Sequence, residues 1–499
     1  MSVRPTPLDQ RMRDQLFHLA PDSGGSLQSQ VREMMVRAIL DGHIPGGSAV
    51  PSCRQLAKQL GVARNTVVLA YQRLVDEGYL VSRERSGYYV NEDILDGRVA
   101  PVDEPESGEI FGPSWEKRLR IRPGRQRNIV KPVDWQSYPY PFIYGQFDLA
   151  LFPLSEWREC SRRALSVGAI KNWASDNIDS DDASLIEQLH TRVLPRRGVW
   201  ASPDEILVTV GAQHALYMIA GLLFERDTVV AIENPGYPDA RNIFAMKSQH
   251  VHGLPVDDEG LVLDARLKRC DYVYTTPSHQ HPTTITLSLE RRQELLNRAV
   301  NDDFVIIEDD YESETNYVGQ PTPALKSLDH SDRVIYVGSL SKTIAPGLRL
   351  GFMVGPKELI REARALRRLM LRHPPANNER AVALFLSLGH HDSLVRRLSH
   401  AYKERWRAMG DALAKHLPES AQMPAFGGTA YWVRGPDSLD CSTLMTAAAE
   451  KGVLIEPGDI FFLDENPPRN YFRLGFSSIP VERIEPGIRL LADLIHKLI

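Results

Sequence analysis

The residues with the most chemical character stand where short apolar runs end. Val334-Ile335-Tyr336-Val337 leads into Gly338-Ser339-Leu340-Ser341-Lys342, with Arg349 seven residues further on. A lysine just past a strand end, among hydroxyls and near a guanidinium, suits an amine that condenses with a carbonyl beside a phosphate, because a cationic neighbour lowers the amine's pKa. Phe304-Val305-Ile306-Ile307 runs into Glu308-Asp309-Asp310-Tyr311. Strand alternation sends Asp309 and Tyr311 to one face and Asp310 to the other. A carboxylate and a phenol side by side suit the nitrogen and the oxygen of one flat ring. Ile206–Val210 turns through Gly211 into Ala212-Gln213 and an apolar helix, an elbow whose backbone N–H groups can approach an anion. Val229–Ile232 ends in Glu233-Asn234-Pro235-Gly236-Tyr237, which places Tyr237 to stack on a ring.

Each feature alone has an ordinary reading: a strand-helix elbow, a rim aromatic, an Asp pair capping a loop, a surface lysine. Together they compose a pyridoxal phosphate site, in which the carboxylate keeps the ring nitrogen protonated and the ring becomes an electron sink.

The elements that must hold these residues follow from the pattern. From about residue 145 the chain alternates helical stretches with short buried runs, which predicts an α/β domain with a largely parallel sheet. Ligands in such sheets bind beyond the carboxyl ends of the strands, where the residues above fall.

The first ninety residues read differently. Val31, Met34, Met35, Ala38 and Ile39 follow helical spacing up to Gly42. Ser52 and Gln55 have capping-box spacing at the start of a second helix that turns Leu56, Ala57 and Leu60 inward and stops at Gly61. A third helix begins near Arg64, with Val67, Tyr71, Leu74 and Val75 inward, and ends at Gly78. Two β-prone runs, Tyr79–Val81 and Tyr88–Val90, then flank Ser82-Arg83-Glu84-Arg85-Ser86-Gly87 as a hairpin. Helix-turn-helix plus hairpin is a DNA-binding plan in which the second helix of the motif enters the major groove. Arg64, Asn65 and Thr66 at its N-terminus, with Arg54 on the preceding helix, have the side chains that read base edges; Ser52, Arg83 and Ser86 suit phosphate contacts.

Charge and composition agree. Residues 1–90 carry eleven basic against eight acidic residues, a net +3 that leaves −8 for the rest of a chain of net charge −5. The first twenty residues scatter Arg4, Asp9, Arg11, Arg13 and Asp14 among apolar positions, against a secretory signal, and no apolar run reaches the ~18 residues of a membrane span. Four separated cysteines (Cys53, Cys160, Cys270, Cys441) fit a reduced cytoplasmic chain with neither disulfide framework nor metal site. The organisation expected is a head over 1–90, a linker and docking arm over 91–135, and a body over 136–499. In the arm, Trp115, Leu119 and Ile121 are spaced to dock, among the basic residues Lys117, Arg118, Arg120, Arg122, Arg125, Arg127 and Lys131.

The string PSCRQLAKQLGVARNTVVLAYQRLVDEGYLVSRERSGYYV resembles the winged helix-turn-helix of the GntR superfamily of bacterial repressors. The order of cradle, aromatic, Asp, Tyr and Lys is similar to that of fold-type I aminotransferases. A GntR-type head joined by a linker to such a body resembles the MocR subfamily of transcriptional regulators, and Thr276-Pro277-Ser278-His279-Gln280-His281-Pro282-Thr283 resembles that subfamily's TPSHQ-x-PTG signature. The resemblance implies a Schiff base at Lys342, Asp309 on the pyridine nitrogen, Tyr311 on the ring oxygen and Tyr237 stacked on the ring. It further implies Ala212, Gln213, Ser339 and Arg349 on the phosphate and Arg473 on a substrate or effector carboxylate, with Arg241 a looser match. Two positions depart from the pattern: Thr284 stands where the signature has Gly, and His281 where aminotransferases have Asn.

The function expected is a regulator that binds operator DNA as a homodimer and senses a small amino compound by external aldimine formation at Lys342. The alternative is a working aminotransferase with an accessory head, and repeated turnover with an oxo acid would separate the two.

Overall fold

Helical spacing of apolar residues closes residues 27–90 around a core of their own. The computed structural model describes residues 25–95, 113–316, 322–420 and 427–499, and the chain divides between Ser114 and Trp115 into two units. In the first, α1 (Leu27–Leu40) buries Val31, Met35, Ala38 and Ile39. The reciprocal Ser52–Gln55 box opens α2 (Cys53–Leu60), and Gly61, left-handed at φ 67°, ends it. Val67, Ala70, Tyr71 and Leu74 form the buried face of α3 (Arg64–Asp76), and the Tyr71 hydroxyl donates to Pro51 O at 2.8 Å, tying α3 to the start of α2. The hairpin pairs β1 (Leu80–Arg83) with β2 (Gly87–Val90) as far as Arg83 and Gly87. Its loop is therefore shorter than the six residues expected, because Arg85 (φ 60°) and Gly87 (φ 104°) close a tight turn over Glu84-Arg85-Ser86.

Of the linker, Glu92–Leu95 form a 3-10 turn, and residues 96–112 lie outside the described residues, as do the first twenty residues on which the reading against a secretory signal rests. The arm corrects one expectation. Trp115, Leu119 and Ile121 do not dock: they are 69%, 55% and 57% exposed. Polar residues further along hold this segment instead. Gln126 donates to Asn242 O at 3.1 Å, Arg127 pairs with Asp459 at 2.6 Å, and Lys131 donates to Tyr144 O. The apolar spacing misled because hydrophobicity alone does not say which face has a partner.

The second unit is built on an eight-stranded sheet. In chain order its strands are β3 (Ile206–Thr209), β4 (Val229–Asn234), β5 (His250–Asp257), β6 (Gly260–Leu261), β7 (Tyr272–Thr275), β8 (Val305–Asp310), β9 (Val334–Ser339) and β10 (Gly351–Val354). They lie side by side as β3-β10-β9-β8-β7-β4-β5-β6. Neighbours from β9 to β5 pair in parallel, whereas β10 is antiparallel to both β9 and β3. The parallel pattern read from the runs did not contain β10, which follows the Pro346–Arg349 turn too closely to return by a helix and so must pair in the reverse sense.

Alternate residues of the central strands face two cores. Leu207, Ile335, Val337 and Met353 pack with the apolar helix α4 (Ala212–Leu223), and Ile206, Val208, Tyr336, Phe352 and Val354 pack on the other side. Burying each such aliphatic side chain is worth roughly 1.5–3 kcal/mol, so the sheet is a rigid floor. A smaller antiparallel sheet, β11 (Ala430–Arg434), β13 (Tyr471–Gly475) and β12 (Glu456–Pro457) in spatial order, has a separate core that includes Tyr431, Phe472 and Leu474. Among the described residues, no helix is long and apolar enough to cross a membrane.

Candidate functional site

The carboxyl ends of β3, β8 and β9 open into a cavity of about 240 Å³. Ala212, Gln213, Tyr237, Asp309, Tyr311, Ser339, Lys342 and Arg349 all line it, with Tyr144, Gly145, His281 and Ser341. The eight residues singled out in the body for one ring and one phosphate, spread over 138 positions, thus share one cavity.

Asp309 ends β8. Its Oδ2 accepts the Tyr274 hydroxyl at 2.9 Å, while its Oδ1 is buried without a partner. Burial chiefly, and the Asp310 charge beside it, push the carboxyl up to about 7, against the pull of Tyr274 and Lys342. A carboxylate oxygen left unmet in a cavity wall fits a protonated ring nitrogen. Asp310 points the other way, to Arg197 and the Tyr336 hydroxyl, both at 2.8 Å. The Tyr311 hydroxyl donates to His279 O at 2.8 Å.

The cradle is backbone. Gly211 caps α4 at φ 77°, a backbone that favours glycine, and a Cβ there would lie 3.0 Å from Arg349 Nη2. The first N–H groups of α4 have no carbonyl within the helix, and Arg349 stands beside them, which suits a phosphate. The Gln213 amide is held by Asp239, which also accepts the Tyr237 hydroxyl at 3.0 Å. What Gln213 offers an anion is therefore its backbone N–H. Ser341 Oγ is spent on both backbone groups of Leu350.

Lys342 follows β9, and its Nζ lies 4.4 Å from the Tyr144 ring centroid. Its side chain is exposed to the solvent of the cavity, yet protein crowds it on every side. Burial chiefly lowers its pKa to about 8; Lys131 and Arg473 push the same way, and Glu312 and Asp309 oppose them. The amine therefore gives up its proton more readily than an ordinary lysine.

Arg473 stands one layer behind the cavity, 1% exposed. Its Nε donates to Glu456 at 2.7 Å and its Nη1 to His281 Nε2 at 2.6 Å, leaving Nη2 buried without a partner. A bidentate grip on a carboxylate is thus already half committed within the protein. Arg241 does not reach the cavity; it holds Ile460 O and Phe462 O at 3.2 and 3.0 Å. Thr284 has left-handed backbone, at φ 64°, the region that favours the glycine of the signature. Tyr144, Gly145, Lys131, Glu312 and Glu456 went unread in the sequence. Lys131 is lost among the basic residues of the arm, and only the positive φ of Gly145 (74°) sets its stretch apart.

In the first unit, Arg54 lies in the opening turn of α2 and is exposed, as are Ser52, Arg64 and Asn65, while Thr66 is half-buried. Ala63 caps α3 without a side-chain bond and its carbonyl takes the Thr66 N–H at 3.0 Å, so the N–H groups left for an outside acceptor are those of Arg64 and Asn65. Ser52 Oγ is engaged in its capping box. Arg83 lies 4.4 Å over the Tyr89 ring and Ser86 Oγ is 2.7 Å from the Tyr89 hydroxyl; both residues are exposed, as is Arg85 at the wing tip, to which sequence reasoning assigned no contact.

Comparison with known proteins gives the same two parts. Residues 27–90 match bacterial regulatory proteins of the gntR family, and residues 151–491 match aminotransferase class I and II. The HTH-type transcriptional regulator TauR of Rhodobacter capsulatus is 43% identical over 95% of this chain and 98% of its own length. The probable rhizopine catabolism regulatory protein MocR of Rhizobium meliloti is 29% identical over 94% of each. Among solved structures, the alpha-aminoadipate aminotransferase LysN of Thermus thermophilus, complexed with N-(5'-phosphopyridoxyl)-L-leucine, superposes with a TM-score of 0.69 at 27% identity, over 77% of this chain and 99% of that one. The kynurenine aminotransferase of Pyrococcus horikoshii gives 0.68 at 27%, over 78% and 97%.

Proposed function

Since the chain belongs to the aminotransferase class I and II family, in the MocR-type branch that carries a gntR-family head, we propose that it is a pyridoxal-phosphate-dependent transcriptional regulator whose body reads a small amine. The observation that carries this reading is the single cavity joining Lys342, Asp309 with its unmet Oδ1, Tyr311 and the uncapped start of α4.

When bound, the cofactor supplies an aldehyde that exchanges one amine for another and a ring that draws electrons from the carbon bearing it. The chain's own residues divide the remaining work. Lys342 offers an amine whose proton leaves early. Asp309 would hold a proton on the ring nitrogen, and the Tyr311 hydroxyl, which now donates to His279 O, would have to turn from it to donate to the ring oxygen. Ala212 and Gln213 N–H, Ser339 and Arg349 take the phosphate, and Tyr237 covers a ring face. Arg473 attracts the acidic group of an effector.

The proposed division is a head over 1–90, a connecting segment over 91–135 and a body over 136–499. Arg64, Asn65 and Thr66 read bases, Arg54 assists, and Ser52, Arg83 and Ser86 lie along the phosphates. A homodimer in the cytoplasm would set two heads on two half-sites spaced by helical turns. Switching requires that the effector bind one packing of the bodies more tightly than another.

The test is the visible spectrum of the purified protein, titrated with a panel of amines and then with an oxo acid. A band that shifts with an amine and persists supports a sensor. A band that bleaches and returns with the oxo acid supports the aminotransferase alternative. No band after adding pyridoxal phosphate removes the cofactor from the reading.

A further inference from the structure

Lys131 and Arg473 share one carboxylate. Glu456 accepts Arg473 Nε on Oε2 at 2.7 Å and forms an ion pair with Lys131, whose Nζ lies 3.3 Å from an Oε1 that accepts no hydrogen bond. Both cations also flank Tyr144, whose ring centroid is 4.2 Å from Arg473 Cζ, 5.8 Å from Lys131 Nζ and 4.4 Å from Lys342 Nζ. A Cβ on Gly145, which lines the cavity, would lie 3.1 Å from Lys342 Nζ and 3.7 Å from Lys131 Nζ, so Lys131 reaches the same wall as Lys342. Three cations, Lys131, Arg473 and Lys342, gather at this corner against the carboxylates of Glu456 and Glu312, and Arg473 Nη2 has no partner. His281 adds no charge, being a neutral acceptor for Arg473. Glu312 accepts the Thr429 hydroxyl on one oxygen and has no partner on the other.

We propose that Lys131 is a specificity-determining residue of the effector site, joining Arg473 to bind the acidic group of an amino acid whose amine reaches the position of Lys342. This inference rests on the cofactor-dependent reading above, in which Arg473 already attracts the effector's acidic group, and adds Lys131 as the residue that selects for it. Lys131 lies on the connecting segment, past the boundary at Trp115, and that segment is held to the body through Gln126 and Arg127.

The experiment uses the full-length protein loaded with pyridoxal phosphate, in wild-type, Lys131→Met and Lys131→Arg forms. Each is titrated in the visible range with ω-amino carboxylates of two to five carbons, n-alkylamines of the same lengths, and α,ω-diamines. Wild type should prefer the acid-bearing amine at one length by roughly tenfold or more, as a charge-assisted contact implies. Lys131→Met should remove most of that preference and Lys131→Arg restore it. A thermal shift of the cofactor-free protein by the matching simple carboxylate, present in wild type and lost in Lys131→Met, gives a readout independent of the cofactor. Equal weakening of acid and alkylamine in Lys131→Met would mean that Lys131 only tunes Lys342, and overturns the proposal; so do an unchanged preference or a preference for diamines. A wild-type band that responds to amines without favouring acids overturns this inference alone, whereas no cofactor band removes the reading beneath it as well.

Discussion

Arg473 donates Nη1 to His281 Nε2 at 2.6 Å, and this one bond fixes the state of the histidine. A guanidinium only donates, so His281 must accept on Nε2 and carry its proton on Nδ1. Burial first, then Arg473, Lys342 and Lys131, hold its pKa well below the usual range, so the ring stays neutral. Its Nδ1 is buried without a partner. At the position where aminotransferases place Asn, this chain therefore presents one unmet neutral N–H donor. His281→Asn should keep cofactor affinity within a few-fold, while His281→Leu should lose roughly tenfold, the worth of one hydrogen bond. Equilibrium dialysis of the cofactor checks it; equal affinities for the two variants would deny His281 a donor role.

Lys342 should react as an unusually acidic lysine. Aldehyde labelling of the cofactor-free protein, trapped by borohydride and located by mass spectrometry, should rise with pH around a midpoint near 8 rather than the ordinary 10.5. Lys131→Met should move that midpoint upward, because a cationic neighbour has been removed. A wild-type midpoint near 10.5 would show that the cavity leaves the amine unperturbed.

Asp309 gives the cofactor-free protein a pH-dependent weakness. Its folded pKa, raised to about 7 from 3.8, means that the folded state holds the proton more tightly than the unfolded chain. The stability this contributes is full below about 4 and is lost as pH rises through 7, a swing on the order of a few kcal/mol for a group only 3% exposed. Asp309→Asn should therefore gain in melting temperature relative to wild type between pH 4 and 8. A constant difference across that window would exclude the linkage.

Thr284 and Gly428 are coupled by contact. A Cβ on Gly428, itself at φ 85°, would lie 3.1 Å from Thr284 Cγ2. Gly428→Ala should cost more in wild type than in a Thr284→Gly background, by about 1 kcal/mol. Denaturant titration of the four-member cycle measures the difference; additive effects would place the strain in the Gly428 backbone alone.

Arg64 and cofactor uptake should separate. Arg64→Ala removes the exposed side chain that opens α3 and should abolish specific footprinting, a loss of about 1–3 kcal/mol per base contact. Cofactor absorbance should stay intact, and an unchanged footprint would place base reading elsewhere.

Local sequence determined whatever depends on one or two turns of chain. The Ser52–Gln55 box, the stop at Gly61 and the elbow at Gly211 were legible because capping and left-handed backbone are set by neighbours in sequence. Asp309, Tyr311 and Lys342 were legible because strand ends in an alternating α/β chain fall at one edge of the sheet. Tertiary structure decided what depends on distant partners. Trp115, Leu119 and Ile121 have docking spacing but face solvent, since periodicity defines a face and not what covers it. Lys131 reads as one charge in a basic run, yet it comes to rest beside Glu456 and Tyr144. Whether Arg473 was free or engaged turned on Glu456, seventeen residues away on the neighbouring strand β12. Pairing across strands and lobes is fixed by packing of the whole body, and no local pattern encodes it.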